Sequence, residues 1–259
     1  MRSRITYYLT SIPTILGQIN NWFEIPILLF RKKPIILKLK NGRSFKVRNL
    51  MDVWIVKESC LDRDYEVNGV AIVDGWTVID IGSGIGEFAI MTAAEQPACQ
   101  VYAYEPFPES FALLQENLAL NKTKNVHAFQ MAVGATSAQM RLATTGAAVQ
   151  HTTTDSDLAG EATSFIAVES ISFAELFATN HIAHCDFLKL DCEGCEFELL
   201  LSASPAILEK IDHICMEYHN GFTPHSHPEL VTHLEAHGFQ VKVTPNPVHS
   251  FLGFIYASR

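Results

Sequence analysis

The sequence predicts an α/β fold with a mostly parallel sheet, and three observations support this prediction. From Trp76 onward, short apolar runs typical of buried strands alternate with helical patterns, as expected when helices cover both faces of a parallel sheet. The first apolar run, 76–81, stops at a glycine-rich turn. The last two predicted strands, 239–243 and 251–256, are joined by a loop with two prolines and no helix. We therefore expect them to be antiparallel neighbours.

The glycine-rich turn has the spacing G-x-G-x-G and begins two residues after Asp80. Glycine is needed where the backbone adopts a positive φ or where a ligand approaches it closely. Dinucleotide sites prefer G-x-G-x-x-G, and the lysine of a P-loop is missing here. An acidic turn suits a cofactor that bears a positive charge and free hydroxyl groups, as S-adenosylmethionine does. The residues predicted to bind the cofactor in this turn are Asp80, Gly82, Ser83, Gly84 and Gly86.

Glu105 ends the second predicted strand, 100–105, and lies 25 residues after Asp80. A carboxylate at this place can accept hydrogen bonds from two ribose hydroxyl groups, as in the dinucleotide fold. The glycine turn alone is also compatible with a purely structural connection between strand and helix. Because an acid ends the next strand, we favour a cofactor site with Glu105 as the ribose ligand.

The alternation of helices and strands continues to the end of the chain. Pro108 lies in the first turn of a predicted helix and Gly238 closes another, as is typical of helix ends. The further predicted strands are 126–133, 165–171, 186–191 and 211–218, and the further helices are 108–121, 172–177, 195–201 and one from Pro228. Residues 134–164 lack periodicity apart from a short predicted strand at 140–143, which is typical of a lid or a mobile loop.

Length and composition predict one domain preceded by an N-terminal extension. The chain has 259 residues, of which 48% are hydrophobic, and this is enough for a sizeable core. Its net charge of -9 argues against a general nucleic-acid-binding protein. The charge is unevenly distributed, because residues 1–48 contain ten Lys and Arg against one acidic residue, whereas the remainder contains nine against 27.

The N-terminal extension is apolar, but Pro13 and Pro26 interrupt it, and it offers no continuous span of about twenty apolar residues. One interpretation is that residues 5–30 form helices that pack on the body of the protein or on a second subunit of a homo-oligomer. The other is a peripheral membrane contact through residues 1–33, in which the basic stretch 31–33 is drawn to anionic lipid. The sequence leaves both interpretations open.

Between the extension and the main domain, the sequence predicts a hairpin and a helix. Two alternating strands flank Asn41-Gly42, a favoured two-residue turn, and residues 52–61 have a helical pattern. Residues 62–65 form either a plain linker or a lip over the cofactor. The predicted parts of the chain are an extension at 1–34, a lead-in at 35–75 and a main domain at 76–259.

Five stretches of the main domain, in order and at compatible spacing, resemble FkbM-type methyltransferases. They are Asp80-Ile-Gly-Ser-Gly-Ile-Gly-Glu-Phe88, Tyr104-Glu-Pro-Phe-Pro-Glu-Ser-Phe111, Glu116-Asn-Leu-Ala-Leu-Asn121, Met131-Ala-Val-Gly134 and Leu188-Lys-Leu-Asp-Cys-Glu-Gly-Cys-Glu196. The resemblance covers about residues 76–220, and it is specific because the second and fifth stretches are hallmarks of the family. Glu217-Tyr-His219 is similar to the acidic ending of the family's fifth strand.

The resemblance implies a class I methyltransferase fold, which is Rossmann-like and has a seven-stranded, mostly parallel sheet with an antiparallel last strand. It implies S-adenosylmethionine as the methyl donor. The implied acceptor is a hydroxyl oxygen on a sugar, a glycolipid or a secondary metabolite, and methylation of nitrogen stays open. By analogy with this fold, Ala132 at the end of the third strand is expected to flank the adenine.

Three residues at the ends of strands four and five are candidates for the chemistry. A hydroxyl group is a weak acid, so its methylation benefits from a base, which contributes roughly 10²–10⁴-fold. Asp191, Glu217 and His219 can each serve as this base, and the histidine titrates in the useful range. Asp191 is also expected to contact the cofactor, and its alternative role is to cap the following helix. The alternative for His219 is a structural, hydrogen-bonded histidine. Glu193 and Glu196 are expected to cap or solvate the following helix.

Other functions are weaker alternatives. Together with His225 and His227, the three candidates could hold a divalent cation that acidifies the acceptor hydroxyl. Their spacing matches no fixed motif, so we predict no metal. A non-catalytic protein that recruits partners to a membrane or a polyanion would not need both Asp80 and Glu105. The glycine spacing disfavours a nicotinamide-dependent oxidoreductase.

The six cysteines lie mostly in predicted strands and helices, and no cleavable signal peptide is recognised. We therefore expect reduced cysteines and a cytoplasmic location, with membrane association as an addition. Cys192 and Cys195 stand where the FkbM-type pattern usually has small apolar residues, which favours a packing role. A redox-active pair is one alternative. A zinc site with Cys185 and Cys215 is another, although only one close pair is present.

Overall fold

The computed structural model describes residues 4–31, 33–137, 139–144, 164–192 and 195–259. Its N-terminal part consists of short helices and one hairpin. These elements are α1 (Arg4–Gln18), a 3₁₀ turn (Trp22–Glu24), α2 (Pro26–Phe30), β1 (Ile35–Lys38), β2 (Ser44–Val47), α3 (Leu50–Val56), a π-helical turn (Lys57–Asp62) and α4 (Asp64–Val67). In the described parts of the chain, no helix is long and apolar enough to cross a bilayer.

The main domain alternates strands and helices, as predicted. Its first half contains β3 (Thr77–Ile81), α5 (Glu87–Glu95), β4 (Gln100–Tyr104), α6 (Pro108–Asn121), β5 (Val126–Phe129), β6 (Ala132–Gly134) and β7 (Gln139–Thr144). Its second half contains β8 (Ser164–Ser172), α7 (Phe173–Thr179), β9 (Cys185–Leu190), α8 (Cys195–Ser202), α9 (Pro205–Leu208), β10 (Ile211–His219), α10 (His227–Ala236), β11 (Gln240–Pro245) and β12 (Leu252–Ser258).

Seven strands form the main sheet, in the order β11-β12-β10-β9-β3-β4-β5. The pairs from β10 through β9, β3 and β4 to β5 are parallel, whereas β12 is antiparallel to both of its neighbours. This topology confirms the predicted class I fold and its antiparallel last strand. The chain leaves β3 first toward β4 and later returns to β9 on the other side. In open α/β sheets such a switch point opens a crevice at the carboxyl ends of the strands, where ligands bind.

The predicted strand 126–133 is in fact two strands in different sheets. β5 ends the main sheet, where Phe129 stacks on Tyr104 with ring centroids 4.8 Å apart. β6 then joins a three-stranded sheet in the order β6-β8-β7. An apolar pattern does not reveal such a break, because both pieces are apolar and continuous in sequence. β7 covers the short strand predicted at 140–143, whereas residues 145–163 of the predicted loop lie outside the described residues.

The lead-in hairpin is fixed to the main domain by two asparagines of α6. Asn117 Oδ1 accepts a 2.7 Å hydrogen bond from Lys46 N, and Asn121 Oδ1 accepts one of 3.0 Å from Ser44 N. The turn has three residues rather than the predicted two, since Leu39 N donates to the carbonyl of Arg43 at 2.8 Å. Gly42, with φ of 87°, takes the left-handed position that such a loop requires.

Two apolar cores cover the two faces of the main sheet. Val78 and Phe187 point into one core, together with residues of the hairpin, α5 and α6. The neighbouring strand residues Ile79 and Leu188 point into the other, together with residues of α7, α8 and α10. Strands buried on both faces have continuous apolar runs, which explains why β3 and β9 were recognisable from sequence.

Candidate active site

A cleft of about 1080 Å³ opens at the carboxyl ends of β3, β4, β9 and β10. This is the edge of the sheet at which the sequence placed its candidate residues. The candidates that line the cleft are Gly82, Gly84, Glu105, Ala132, Asp191, Glu217 and His219. The candidates that do not line it are Asp80, Ser83 and Gly86.

Gly82 and Gly84 give the turn its shape. Both have positive φ values, 76° and 53°, which side chains rarely allow. A Cβ atom on Gly82 would overlap the carbonyl oxygen of Asp191, so the ends of β3 and β9 approach each other only because this residue is glycine. A Cβ atom on Gly84 would be in ordinary van der Waals contact with Glu87 Oε2 at 3.6 Å and Ile55 Cδ1 at 3.8 Å. Gly84 lines the cleft, and its positive φ is what favours glycine at this position.

Asp80 lies behind the turn and does not line the cleft. Its contact with the cofactor stays a prediction. Its side chain is fully buried, and Oδ1 lies 3.0 Å from Nζ of Lys189. The same ammonium donates a 2.6 Å hydrogen bond to the carbonyl of Gly82. A buried carboxylate needs a charged partner, which Lys189 supplies to Asp80. Because the same ammonium also binds the carbonyl of Gly82, the pair fixes the position of the glycine turn.

Ser83 and Gly86 also support the turn from outside the cleft. Ser83 is buried, and its hydroxyl donates a 2.8 Å hydrogen bond to the carbonyl of Asp80. A Cβ atom on Gly86 would come within 3.0 Å of Leu114, so this glycine lets α6 pack closely against the start of α5. Both residues therefore shape the loop without lining the cleft.

Glu105 accepts two backbone hydrogen bonds that hold it at the cleft. Oε2 accepts from Gly84 N and Oε1 from Phe107 N, both at 2.9 Å. Burial raises the pKa of Glu105 to about 7, and these hydrogen bonds limit the rise. Each carboxylate oxygen has a second lone pair. Glu105 can therefore accept hydrogen bonds from a ligand while it positions the glycine turn.

Glu87 is a residue of this site that the sequence reasoning missed. It is the first residue of α5 and lines the cleft, and its side chain is 6% exposed. Its Oε2 atom is buried without a hydrogen-bond partner. Burial raises the pKa of Glu87 to about 8, although Lys189 lowers it. An acid directly after the glycine turn was the available signal.

Asp191, which follows β9, and Glu217 and His219 of β10 form a group in the same cleft that we call the acidic cluster. One side-chain ligand atom from each lies within 4.8 Å of the others. The hydroxyl of Tyr65 donates a 2.5 Å hydrogen bond to Asp191 Oδ2. Burial raises the pKa of Glu217 to about 8, and the nearby charge of Asp191 adds to this effect. Residues 62–65 therefore reach the site through Tyr65.

His219 does not titrate near neutral pH, contrary to the prediction. Its Nδ1 atom lies 2.9 Å from Oε1 of Glu196, which also accepts a hydrogen bond from His219 N at 3.1 Å. Burial lowers the pKa of His219, but Glu196, Asp191 and Glu217 outweigh burial and raise it to about 10. The imidazole is thus a cation at neutral pH. Glu196 is fully buried, so its predicted role as a solvated residue is wrong, and Glu193 lies outside the described residues.

Cys192 and Cys195 form a disulfide, which corrects the prediction that all cysteines are reduced. Both residues line the cleft beside Asp191. The Cα atoms are 5.5 Å apart, a separation at which a disulfide forms without backbone strain. The remaining cysteines are free buried thiols: Cys60, Cys99, Cys185 and Cys215. The sequence pattern is the same whether the two cysteines form a disulfide or remain as two reduced thiols, so it could not predict this pairing.

The wider histidine cluster considered for a metal does not form among the described residues. His225 Nδ1 lies 3.0 Å from Glu229, and His227 Nδ1 lies 2.8 Å from Asn220. The ring of His227 also stacks on Tyr218, with centroids 4.4 Å apart. These two rings are held by neighbours in their own loop and helix.

Comparison with known proteins identifies the family. The model of the Methyltransferase FkbM domain matches residues 80–241, which include every catalytic candidate and the whole glycine turn. The chain belongs to the FkbM methyltransferase family. The predicted resemblance is therefore confirmed, and membership of this family implies S-adenosylmethionine as the methyl donor.

Individual relatives agree with this assignment. The 31-O-demethyl-FK506 methyltransferase FkbM of Streptomyces tacrolimicus is 26% identical over 243 residues, which cover 82% of this chain and 91% of that protein. Methyltransferase 1 of Beauveria bassiana (strain ARSEF 2860) is 30% identical over 89 residues, 34% of this chain and 35% of that protein. The crystal structure of methyltransferase FkbM from Methylobacillus flagellatus KT has the same fold. Its TM-score is 0.51 at 14% identity, and the match covers 98% of this chain and 59% of that chain.

Proposed function

We propose that this FkbM-family protein transfers a methyl group from S-adenosylmethionine to a hydroxyl oxygen of a small-molecule acceptor, within the class of sugars, glycolipids and secondary metabolites. The observation that carries the proposal is that one cleft joins the glycine turn and Glu105 to the acidic cluster of Asp191 and Glu217. The relative from Streptomyces tacrolimicus is named for methylation at an oxygen, 31-O of a demethylated FK506, which supports oxygen as the accepting atom.

The donor side of the cleft fits the charges and hydroxyl groups of S-adenosylmethionine. Glu105 would accept hydrogen bonds from the ribose hydroxyls, and Ala132 would flank the adenine. The unpartnered Oε2 of Glu87, which lines the same cleft as Gly84, would accept hydrogen bonds from the ammonium of the methionine moiety. A buried acceptor without a partner costs about 1–3 kcal/mol, and a bound ammonium would remove this cost.

The chemistry needs a group that takes the proton of the acceptor. When bound, S-adenosylmethionine supplies a methyl group on a positively charged sulfur, to which the bonding electrons return as the methyl moves to oxygen. Glu217 would take the hydroxyl proton, since burial and Asp191 bring its pKa to about 8, near the pH at which a general base works best.

Asp191 and His219 would position the reacting groups. Asp191 is held by Tyr65 and would orient the hydroxyl and face the positive charge of the donor. His219 is already protonated through its contact with Glu196, so it would act as a fixed cation that keeps the two carboxylates together. This role differs from the base that the sequence alone suggested.

The experiment is calorimetric titration with S-adenosylhomocysteine, with NAD as the control ligand. Glu105→Gln should weaken binding roughly ten- to a hundredfold, because hydrogen bonds to a charged group contribute about 1.5–3 kcal/mol. Glu109→Gln is the matched control, since Glu109 is an exposed residue of the neighbouring helix. Absence of S-adenosylhomocysteine binding to the wild type would contradict the proposal.

The accepting atom is tested with pairs of acceptors that differ only in a hydroxyl or an amine at one carbon. Methyl transfer from labelled S-adenosylmethionine should reach the hydroxyl member of a pair. Preferential labelling of the amine member would contradict oxygen as the acceptor while leaving the donor site intact.

A further inference from the structure

The N-terminal segment exposes a group of large apolar side chains. Phe30 is 84% exposed, Phe23 61% and Leu29 58%. We call this group the N-terminal surface, and its members are Ile12, Leu16, Trp22, Phe23, Leu29 and Phe30. The described residues expose fourteen large hydrophobic side chains, and six of these fourteen lie within the 19 positions from 12 to 30. This clustering separates the surface from the scattered exposed apolar residues that every soluble protein has.

The inner face of the same segment is already used by the protein. Ile19 and Leu28 are buried in the core that covers one face of the main sheet. Ile15 and Ile25 pack against that core and also line the cleft. A helix at the surface of a soluble protein normally turns a polar face to water. Here the outer face is apolar as well, so it has the composition of a contact surface.

Basic side chains adjoin this surface. Arg31 and Lys33 follow α2 directly and are exposed, as are Lys38 and Lys40 of the following hairpin. No salt bridge joins any of these four cations to an acid among the described residues. Residues 1–48 contain Glu24 as their one acidic residue. Exposed aromatic and aliphatic side chains beside unpaired cations match the interface of a bilayer that contains anionic lipid.

Charge favours a bilayer over a second copy of this chain. In a symmetric dimer the same patch meets itself, and here the exposed cations Arg31, Lys33, Lys38 and Lys40 of one copy would face the same cations of the other. An anionic bilayer instead complements that charge. It would also repel the acidic remainder of the chain, nine Lys and Arg against 27 acids, so that the N-terminal segment would face the lipid.

We infer that the N-terminal surface, together with Arg31, Lys33, Lys38 and Lys40, docks the protein on an anionic bilayer. The aromatic and aliphatic side chains enter the headgroup region, and the four cations contact lipid phosphates and carboxylates. α1 and α2 lie flat and do not span the membrane. The inference goes beyond the proposed methyl transfer, because docking depends on none of the residues of the acidic cluster.

The test is flotation of the full chain with vesicles of phosphatidylcholine, either alone or mixed with phosphatidylserine. The wild type should float with the anionic vesicles and be released from them at high salt. The double variant Phe23→Ser/Phe30→Ser should bind at least roughly tenfold more weakly, and so should Arg31→Glu/Lys33→Glu. Leu120→Ser removes a 40% exposed leucine on α6 and should bind like the wild type.

Substitutions are preferable to deletion of the segment, since deletion would remove Ile19 and Leu28 from the core. Each variant should retain the wild-type affinity for S-adenosylhomocysteine, which shows that it is folded. The inference is overturned if the wild type ignores anionic vesicles or if Phe23→Ser/Phe30→Ser binds them equally well. It is also overturned if the wild type is a dimer that this double variant makes monomeric without any vesicle binding. A failed proposal of methyl transfer would appear separately, as lost S-adenosylhomocysteine binding in the wild type.

Discussion

The hydroxyl of Tyr65 donates a 2.5 Å hydrogen bond to Oδ2 of Asp191, although 126 positions separate the two residues in the sequence. The phenol ring is held by edge contacts with Phe88 and Phe254, whose ring centroids lie 5.5 and 5.6 Å away. Nζ of Lys189 lies 5.1 Å from the ring centroid. Tyr65 thus reaches the end of β9 from the short helix that precedes the main domain.

Tyr65→Phe should lower the rate of methyl transfer by roughly tenfold, since Asp191 loses the donor that orients it while the ring packing stays. The rate is measured as release of S-adenosylhomocysteine with an acceptor that the wild type methylates. The control is Tyr102→Phe, which removes a hydroxyl from a ring that stacks on His127 outside the cleft. An unchanged rate in Tyr65→Phe would remove the positioning role.

Lys189→Met should destabilise the fold by about 3–5 kcal/mol, because it leaves the buried carboxylate of Asp80 without its partner. Lys124→Met, at an exposed position, should change the free energy of unfolding by no more than about 0.5 kcal/mol. Urea denaturation measures both. The double variant Asp80→Asn/Lys189→Met should recover part of the loss, and a loss equal to that of the single variant would show that packing, not charge, is responsible.

Glu87→Gln should weaken S-adenosylhomocysteine binding roughly ten- to a hundredfold, because the buried carboxylate is expected to hold the ammonium of the ligand. Methylthioadenosine carries the same nucleoside but no ammonium, so its affinity should be unchanged. Glu105→Gln should weaken both ligands, since it acts at the ribose. Equal weakening of the two ligands by Glu87→Gln would place Glu87 elsewhere in the site.

The free energy of unfolding should fall as the pH rises through the neutral range. Burial raises the pKa of Glu87 from 4.5 to about 8, so the folded state holds a proton that the unfolded state has lost in this interval. The stability associated with this proton is complete below pH 4.5 and is lost as the pH rises to about 8. The Glu87 proton alone contributes a slope of about 1.4 kcal/mol per pH unit to the free energy of unfolding.

Glu217 and His219 change stability in the same direction as Glu87. The pKa of Glu217 rises to about 8 and that of His219 from 6.5 to about 10, so protons are lost from both as the pH increases. Urea denaturation at several pH values measures the slope. Glu87→Gln should reduce the slope between pH 4.5 and 8 by the contribution of one proton, whereas Glu109→Gln should leave it unchanged. A flat profile in the wild type would contradict the raised pKa values.

The parts of this site that sequence predicted are those set by local patterns. Apolar runs placed β3 and β4, and the glycines and Glu105 followed from the ends of these strands. The carboxyl ends of parallel strands meet at one edge of the sheet, so the position of the glycines and Glu105 can be predicted without knowing any distant contact. The fold class and the location of the cleft follow from the same information.

The parts that sequence did not predict depend on which distant residue becomes a partner. Asp80 pairs with Lys189 because β9 lies beside β3 in the sheet. In the same way, Glu196 forms an ion pair with His219 and raises its pKa, so the expected base is a cation at neutral pH. A lysine inside the apolar strand 185–190 was a visible signal, since an isolated ammonium cannot be buried without an acid.

The missing side chain of Gly82 has a consequence for how this protein can change over evolution. Because the turn and the carbonyl of Asp191 touch at this point, and Asp191 N bonds to the carbonyl of Ile81 at 3.0 Å, the floor of the cleft is one unit. A substitution that reshapes either end disturbs both. The walls, to which Met51 and Phe251 contribute, belong to elements outside this unit. We therefore expect that exchange of wall residues changes the choice of acceptor at a smaller cost to the site than any substitution in the floor.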